Sequence, residues 1–265
     1  MSGRLQRIDA PASWRRVDLI SDLHLHDGDR ATFEAWCGYL RHHQADALFI
    51  LGDLFEAWVG DDAIRAAPGD DPSGFAARAA DALRGAALRS PVYFMAGNRD
   101  FLVGPALASA CGFALLDDPC VLSGSAGNWL LSHGDALCVD DHAYQAFRAQ
   151  VRSTDWQQAF LARPLAERLA IAREMRQRSM ALQAARSGWI DVDAQAARSA
   201  LQAANARTLL HGHTHRPGAH DLGEGLMRIV LSDWDLQATP PRAQVLRIDP
   251  HASTIPPQRL APAQA

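Results

Sequence analysis

Lysine is absent from this sequence: all 26 basic residues among the 265 are arginine. That absence excludes a P-loop lysine on a nucleotide phosphate and any lysine Schiff base. Cysteine is scarce. Cys37, Cys111, Cys120 and Cys138 are scattered without a C-x-x-C pair, so neither a disulfide scaffold nor a structural zinc site is expected. No apolar run approaches the roughly 18 to 20 residues of a membrane-spanning helix. The first residues, MSGRLQRIDAPASW, lack the apolar core of a signal peptide, so a cytoplasmic protein is expected. The formal net charge of −4 argues against a nucleic-acid partner, and no obligate protein partner is evident.

What is present is enough apolar side chain, 48%, to bury a sizeable core. Short apolar runs bounded by Gly, Asp or Asn predict buried strands near 17, 47, 91, 128, 207, 226 and 244. Helical stretches are expected over about 31–43, 73–89 and 105–111, which gives an α/β layered architecture. From 142 to 204 the strand signals stop, and Ala, Arg and Gln dominate a helical insertion. The expected organisation is one domain over 1–250 carrying that insertion, with a loosely ordered Pro- and Ala-rich tail over 251–265.

Five islands end apolar runs: Asp22-Leu23-His24, Gly52-Asp53, Gly97-Asn98-Arg99-Asp100, His133-Gly134-Asp135 and Gly212-His213-Thr214-His215. Open α/β sheets gather ligand-binding groups at strand ends. Alternation along a strand would turn Asp22 with His24, and His213 with His215, to one side. Carboxylate, imidazole and amide oxygen together suit Mn, Fe, Zn or Co rather than Ca. Singly, each Asp is as readily a turn former or helix cap and each His a hydrogen-bonded core residue; their conjunction in order points to a metal site. Trp36 and Trp58 are expected in the core, and His42 and His43 on the surface.

The series D-L-H, G-D, G-N-R-D, H-G-D and G-H-T-H, in this order and at these spacings, resembles the calcineurin-like metallophosphoesterase superfamily. The longer strings I-L-G-D-L-F-E-A-W over 50–58, G-N-R-D-F-L over 97–102 and H-G-H-T-H-R-P over 211–217 resemble its branch that cleaves UDP-2,3-diacylglucosamine in lipid A biosynthesis. The resemblance implies a four-layer αββα sandwich with a helical lid. It implies two Mn²⁺ per chain, other divalent cations also being compatible: one held by Asp22, His24, Asp53 and His215, the other by Asp53, Asn98, His133 and His213. It places substrate contacts at Asn98, Arg99, Asp141, Ser179, Gln183, Arg186 and His213, with catalytic roles for Asn98, Arg99 and His213. Gln183 and Arg186 depart from the pattern, which has Asn and Lys there. The implied reaction is attack of a metal-activated water on the α-phosphorus, giving UMP and 2,3-diacylglucosamine 1-phosphate. Peripheral association with the cytoplasmic face of the inner membrane follows from the same resemblance.

Arg99 bears on the choice of reaction. Many metallophosphoesterases carry His after the motif asparagine, where it can protonate a leaving alkoxide; a guanidinium does not release its proton. Arg99 therefore acts electrostatically, which suits a weakly basic leaving group such as a sugar phosphate, with a second pKa of about 6. The alternative is that Arg99 only pairs with Asp100. In the insertion, eight arginines over 148–186 stand against Asp155, Glu167 and Glu174, and Leu161, Leu165, Leu169 and Ala172 are spaced as one helical stripe. Either this is a solvated face, or an acyl-binding lid resting on an anionic membrane surface. Two rival functions remain at this level: a metallophosphoesterase acting on nucleotides, and a lipid-binding protein that keeps the metal site without turnover.

Overall fold

The apolar runs become strands because both their faces find a partner. The computed structural model describes residues 5–66, 69, 71, 73–185, 190–252 and 256–265. Parallel strands β2 (Val17–Ile20), β3 (Ala47–Leu51) and β4 (Val92–Met95) form the centre of one sheet, in the register Leu19↔Phe49↔Tyr93. β5 (Ala114–Leu116), β11 (Val245–Ile248) and β12 (Gln258–Leu260) complete the order β12-β11-β2-β3-β4-β5. The other sheet contains β1 (Gln6–Asp9), β6 (Cys120–Gly124), β7 (Gly127–Ser132), β8 (Thr208–His211), β9 (Gly218–Gly223) and β10 (Leu226–Val230), in the order β1-β6-β7-β8-β10-β9.

Period-two alternation sorts the side chains into three apolar layers. Val17, Leu19, Phe49, Leu51 and Met95 face Cys120, Leu122, Leu131, Leu210 and Ile229 between the two sheets. Ile20, Leu48, Ile50 and Phe94 turn the other way, against helices α1 (Arg30–His42), α2 (Phe75–Ala87) and α3 (Pro105–Cys111). On the outer face of the second sheet, Val121, Leu130 and Leu209 meet Ala197 and Leu201 of α7 (Ala194–Ala203). Two sheets flanked by helices are the expected αββα sandwich. Trp36 and Trp58 lie in the core, and so does His43, while His42 is exposed. Phe49 is fully buried and stacks on Tyr93 with centroids 4.6 Å apart. Truncating such a ring to alanine costs about 3–5 kcal/mol.

The region after β7 holds α4 (His142–Val151), α5 (Thr154–Leu161) and α6 (Leu165–Ala185) before α7. Its expected single stripe is broken, because Leu161 ends α5 and is 42% exposed, whereas Leu165, Leu169 and Ala172 on α6 pack against the α1–α3 core. Nor do its arginines share one face. Arg168 is 2% exposed and donates to Asp62 and to the carbonyls of Val59 and Arg163. Arg148 and Arg152 turn inward to Asp135, and Arg176 to Glu56. Exposed Arg163, Arg173 and Arg178 remain. The C-terminal tail also differs from expectation: Val245↔Leu260 pairing makes β12 an edge strand, and Ala265 is buried in the core beside α1.

A bidentate pair, Arg228 to Asp191 at 2.7 and 2.7 Å, ties the segment before α7 to β10. Hydrogen bonds from Arg228, opposed by burial, hold the Asp191 carboxyl at about 2 against an ordinary 3.8. A depressed folded pKa stabilises above the unfolded value and loses that contribution as pH falls through the folded one. The stability advantage of the parent over Asp191→Asn, measured by urea unfolding, is therefore expected to be constant above about pH 5 and to vanish toward about pH 2. An advantage unchanged at the acid end would show that the pair does not act through ionisation.

Candidate metal centre

All five motif islands lie just beyond the carboxyl ends of neighbouring parallel strands: Asp22 after β2, Asp53 after β3, Asn98 after β4, His133 after β7, and His213 with His215 after β8. The loops are stitched by backbone bonds that extend the ladders. Asp22 N–H donates to Gly52 O (3.1 Å), His24 N–H to Asp53 O (3.0 Å) and Gly212 N–H to His133 O (3.0 Å). Across the two sheets, His213 N–H donates to both carboxylate oxygens of Asp22 (3.0 and 2.9 Å). Simple strand alternation does not produce the convergence. Asp22, His24, Asp53, His213 and His215 all take positive φ, between 49° and 66°, in the left-handed region that non-glycine residues adopt at a cost. Sharp bends, rather than an i, i+2 strand face, aim these side chains inward.

The donors meet in two groups. In one, His24 Nε2 lies 3.2 Å from His215 Nε2 and 3.9 Å from Asp53 Oδ2, and His215 Nε2 lies 3.4 Å from Asp22 Oδ1. In the other, Asn98 Oδ1 lies 3.0 Å from His133 Nε2 and 2.9 Å from His213 Nδ1, and His133 Nε2 lies 3.7 Å from Asp53 Oδ1. Asp53, 2% exposed, faces both groups. His133 Nδ1–H donates to Leu51 O at 2.9 Å, which leaves Nε2 as the ring position turned toward Asn98 and Asp53.

Electrostatics show what the cluster demands. Burial opposes charge on His133, yet Asp53, Asp22 and Asp135 raise it to about 9. His24 is likewise raised against burial, by Glu56, Asp53 and Asp22. Burial pushes the Asp22 carboxyl up, but His215, His133 and His24 hold it well below the usual range. Burial, with His133 alongside, brings His213 down to about 4. Buried carboxylates that force protons onto neighbouring imidazoles are a site for cations, and divalent ions would take the place of those protons. Ring nitrogens, carboxylate oxygens and one amide oxygen packed within 4 Å of a neighbouring donor, with no thiolate among them, fit the two divalent cations that the resemblance implies.

Residues 15–217 match the calcineurin-like phosphoesterase family. The chain belongs to that family. Among its curated relatives, the UDP-2,3-diacylglucosamine hydrolase of Bordetella pertussis is 48% identical over 238 residues, covering 87% of this chain and 90% of the relative. The protein of the same name from Chromobacterium violaceum is 47% identical over 227 residues, covering 82% and 90%. A third of that name, from Stenotrophomonas maltophilia, is 43% identical over 244 residues, covering 87% and 93%.

Beyond the family's metal motifs, the other sequence candidates are placed unevenly. Arg99 N–H donates to Asp53 Oδ1 (2.8 Å), and its guanidinium NH1 lies 3.5 Å from Glu56 rather than pairing with Asp100. Asp100 is fully buried and accepts instead from the backbone N–H groups of Asp53, Leu54, Phe55 and Gly97, so it ties two motif loops together. Asp141 caps α4, accepting from Tyr144 N–H at 3.1 Å. The Tyr144 ring stacks on His213 with centroids 6.1 Å apart. Ser179 and Gln183 fall on α6, and their side chains lie outside what the structure describes, as does the whole of Arg186.

The sequence assigns no site role to Glu56, Asp135 or Tyr144, and it counts Arg148 and Arg152 only among the arginines of the insertion. Arg148 Nε donates to Asp135 Oδ2 at 2.8 Å, and Arg152 donates to Gly97 O at 2.9 Å, so α4 is bolted to two motif loops. The H-G-D motif held a signal for Asp135 as a carboxylate awaiting partners; its partners were not legible.

Proposed function

We propose that this protein hydrolyses the pyrophosphate bond of UDP-2,3-diacylglucosamine, releasing UMP and 2,3-diacylglucosamine 1-phosphate for lipid A synthesis. The reading is supported by one conjunction: Asp22, His24, Asp53, His133 and His215 clustered with Asn98 and His213 beside them, in a chain 43–48% identical to relatives bearing that substrate's name. Asp22, His24, Asp53 and His215 would hold one cation, and Asp53, Asn98, His133 and His213 the other. When bound, two divalent cations, manganese by preference, lower the pKa of a water and neutralise phosphoryl charge.

This chain's residues do the rest. Arg99 Nε is buried and without a hydrogen-bond partner, a donor held in reserve for a phosphate oxygen. With Asn98 and His213 it stabilises charge developing on the α-phosphoryl oxygens. No acid is needed at position 99, since a sugar phosphate leaves without protonation. Asp141, Ser179, Gln183 and Arg186 would contact the rest of the substrate from the insertion over 142–204, within a single catalytic domain spanning 1–250.

The two acyl chains require apolar cover, each buried methylene being worth about 0.8 kcal/mol. Phe147 on α4 and Leu161 on α5 are exposed and available for it, and exposed Arg163, Arg173 and Arg178 suit an anionic membrane surface on the cytoplasmic side. No helix among the described residues is long and apolar enough to cross a membrane. The test is hydrolysis in ¹⁸O-labelled water by protein stripped with chelator and reloaded with manganese. Label is expected in UMP and not in the lipid phosphate, with no release before reloading. Label on the lipid phosphate would place attack at the β-phosphorus and overturn the assigned roles.

A further inference from the structure

Glu56 stands three residues beyond Asp53, 11% exposed, where three parts of the molecule meet. Its Oε2 lies 3.4 Å from His24 Nδ1. That nitrogen is buried and makes no well-angled hydrogen bond, so the carboxylate is its ion-pair neighbour rather than a formed bond. The other ring nitrogen of His24 is the one that faces His215 and Asp53. Glu56 Oε1 meets Arg176 Nε of α6 at 2.8 Å and lies 3.5 Å from Arg99 NH1. One carboxylate thus touches a proposed cation ligand, the arginine whose N–H meets Asp53, and the long helix of the insertion.

The geometry points to Glu56 as a positioning residue that couples the seating of helix α6 to the cation site and to Arg99. The inference rests on the reading of the site given above. A carboxylate against the outer nitrogen of a ligating imidazole orients the ring through its charge, and losing such an outer partner lowers metal affinity about 10- to 100-fold. By sharing Oε1 between Arg99 and Arg176, Glu56 also fixes the side from which Arg99 reaches the site. Ser179 and Gln183, where the resemblance puts substrate contacts, belong to the same helix as Arg176. Substrate held from α6 would then be registered against the cations through one side chain. Such coupling is reciprocal: whatever seats α6 favours cation binding, and cation binding favours a seated α6.

The test uses the full chain, with Glu56→Gln, Arg176→Gln and the double variant. Manganese binding is followed by electron paramagnetic resonance without substrate, amide hydrogen exchange over 165–178 with and without manganese, and kcat and KM by UMP release. Glu56→Gln is expected to weaken manganese binding about tenfold, to speed α6 exchange severalfold and to raise KM. Arg176→Gln should speed α6 exchange to the same extent and raise KM while leaving kcat nearly unchanged. The double variant should exchange no faster than Glu56→Gln alone, since both remove one link. In the parent, manganese should slow α6 exchange. A Glu56→Gln protein with parental manganese affinity and parental α6 exchange would overturn the inference, as would additive effects in the double variant. Binding and exchange need no substrate, so a parent protein inactive on the diacylated nucleotide would refute the substrate reading alone.

Discussion

Replacing Asp53 by alanine is expected to abolish binding of both cations and to lower turnover by at least about 10³-fold, since the ions contribute several kcal/mol of transition-state stabilisation. The Asp53 carboxylate faces both donor groups, 3.9 Å from His24 Nε2 on one side and 3.7 Å from His133 Nε2 on the other. Without that charge facing both donor groups, neither cation would be held independently of the other. Asp53→Asn separates charge from shape: it preserves an oxygen for Arg99 N–H, which now donates to Oδ1 at 2.8 Å, yet should lose the cations as the alanine does. Manganese titration and UMP release read the two effects. Parental turnover by either variant after chelation would end the two-cation account.

The central strands were legible because burial on both faces leaves an uninterrupted apolar run, as in Ala47–Leu51. Edge strands carry no such mark: β9 alternates half-buried and exposed residues through G-A-H-D-L-G, and β12 is three residues long inside a Pro-rich tail. At the site, the donors stood out because each motif is local in the chain and chemically unusual. What escaped was long-range pairing. Glu56 with Arg176 and Asp62 with Arg168 join segments far apart in sequence, and a lone Glu or Arg gives no sign of which neighbour folding will bring. Which arginines of the insertion turn inward escaped for a related reason. Charge composition fixes how many arginines there are, but the phase of α6 against the core decides that Arg168 and Arg176 point inward while Arg173 points out.

Gly97→Ala is expected to lower turnover about 10²-fold, although Gly97 supplies no side chain to the site. A β-carbon there would stand 2.2 Å from Asp53 Oδ1, 2.4 Å from Asp53 N and 2.9 Å from Asp53 Cγ. The backbone nitrogen among these atoms cannot step aside cheaply. Asp53 N–H and Gly97 N–H both donate to Asp100 Oδ1, at 3.2 and 2.8 Å, so the loops are clamped to one buried carboxylate. The added methyl must either part the loops, stranding Asp100, or drive the Asp53 carboxylate from between the donor groups. Overpacking of this kind costs about 1–3 kcal/mol of stability, which a core of this size can absorb. A displacement of about 1 Å at the reacting centre costs about 10²-fold in rate, so the loss should appear in kcat and manganese affinity rather than in folding. Gly85→Ala on α2 is the matched control: its β-carbon would meet nothing within 4 Å, and it should leave activity unchanged while raising stability by about 0.5–1 kcal/mol. Thermal melts, manganese titration and UMP release on the two variants decide it. If Gly97→Ala kept both the parental manganese affinity and the parental kcat, the tight approach of the two loops would have no bearing on where Asp53 points.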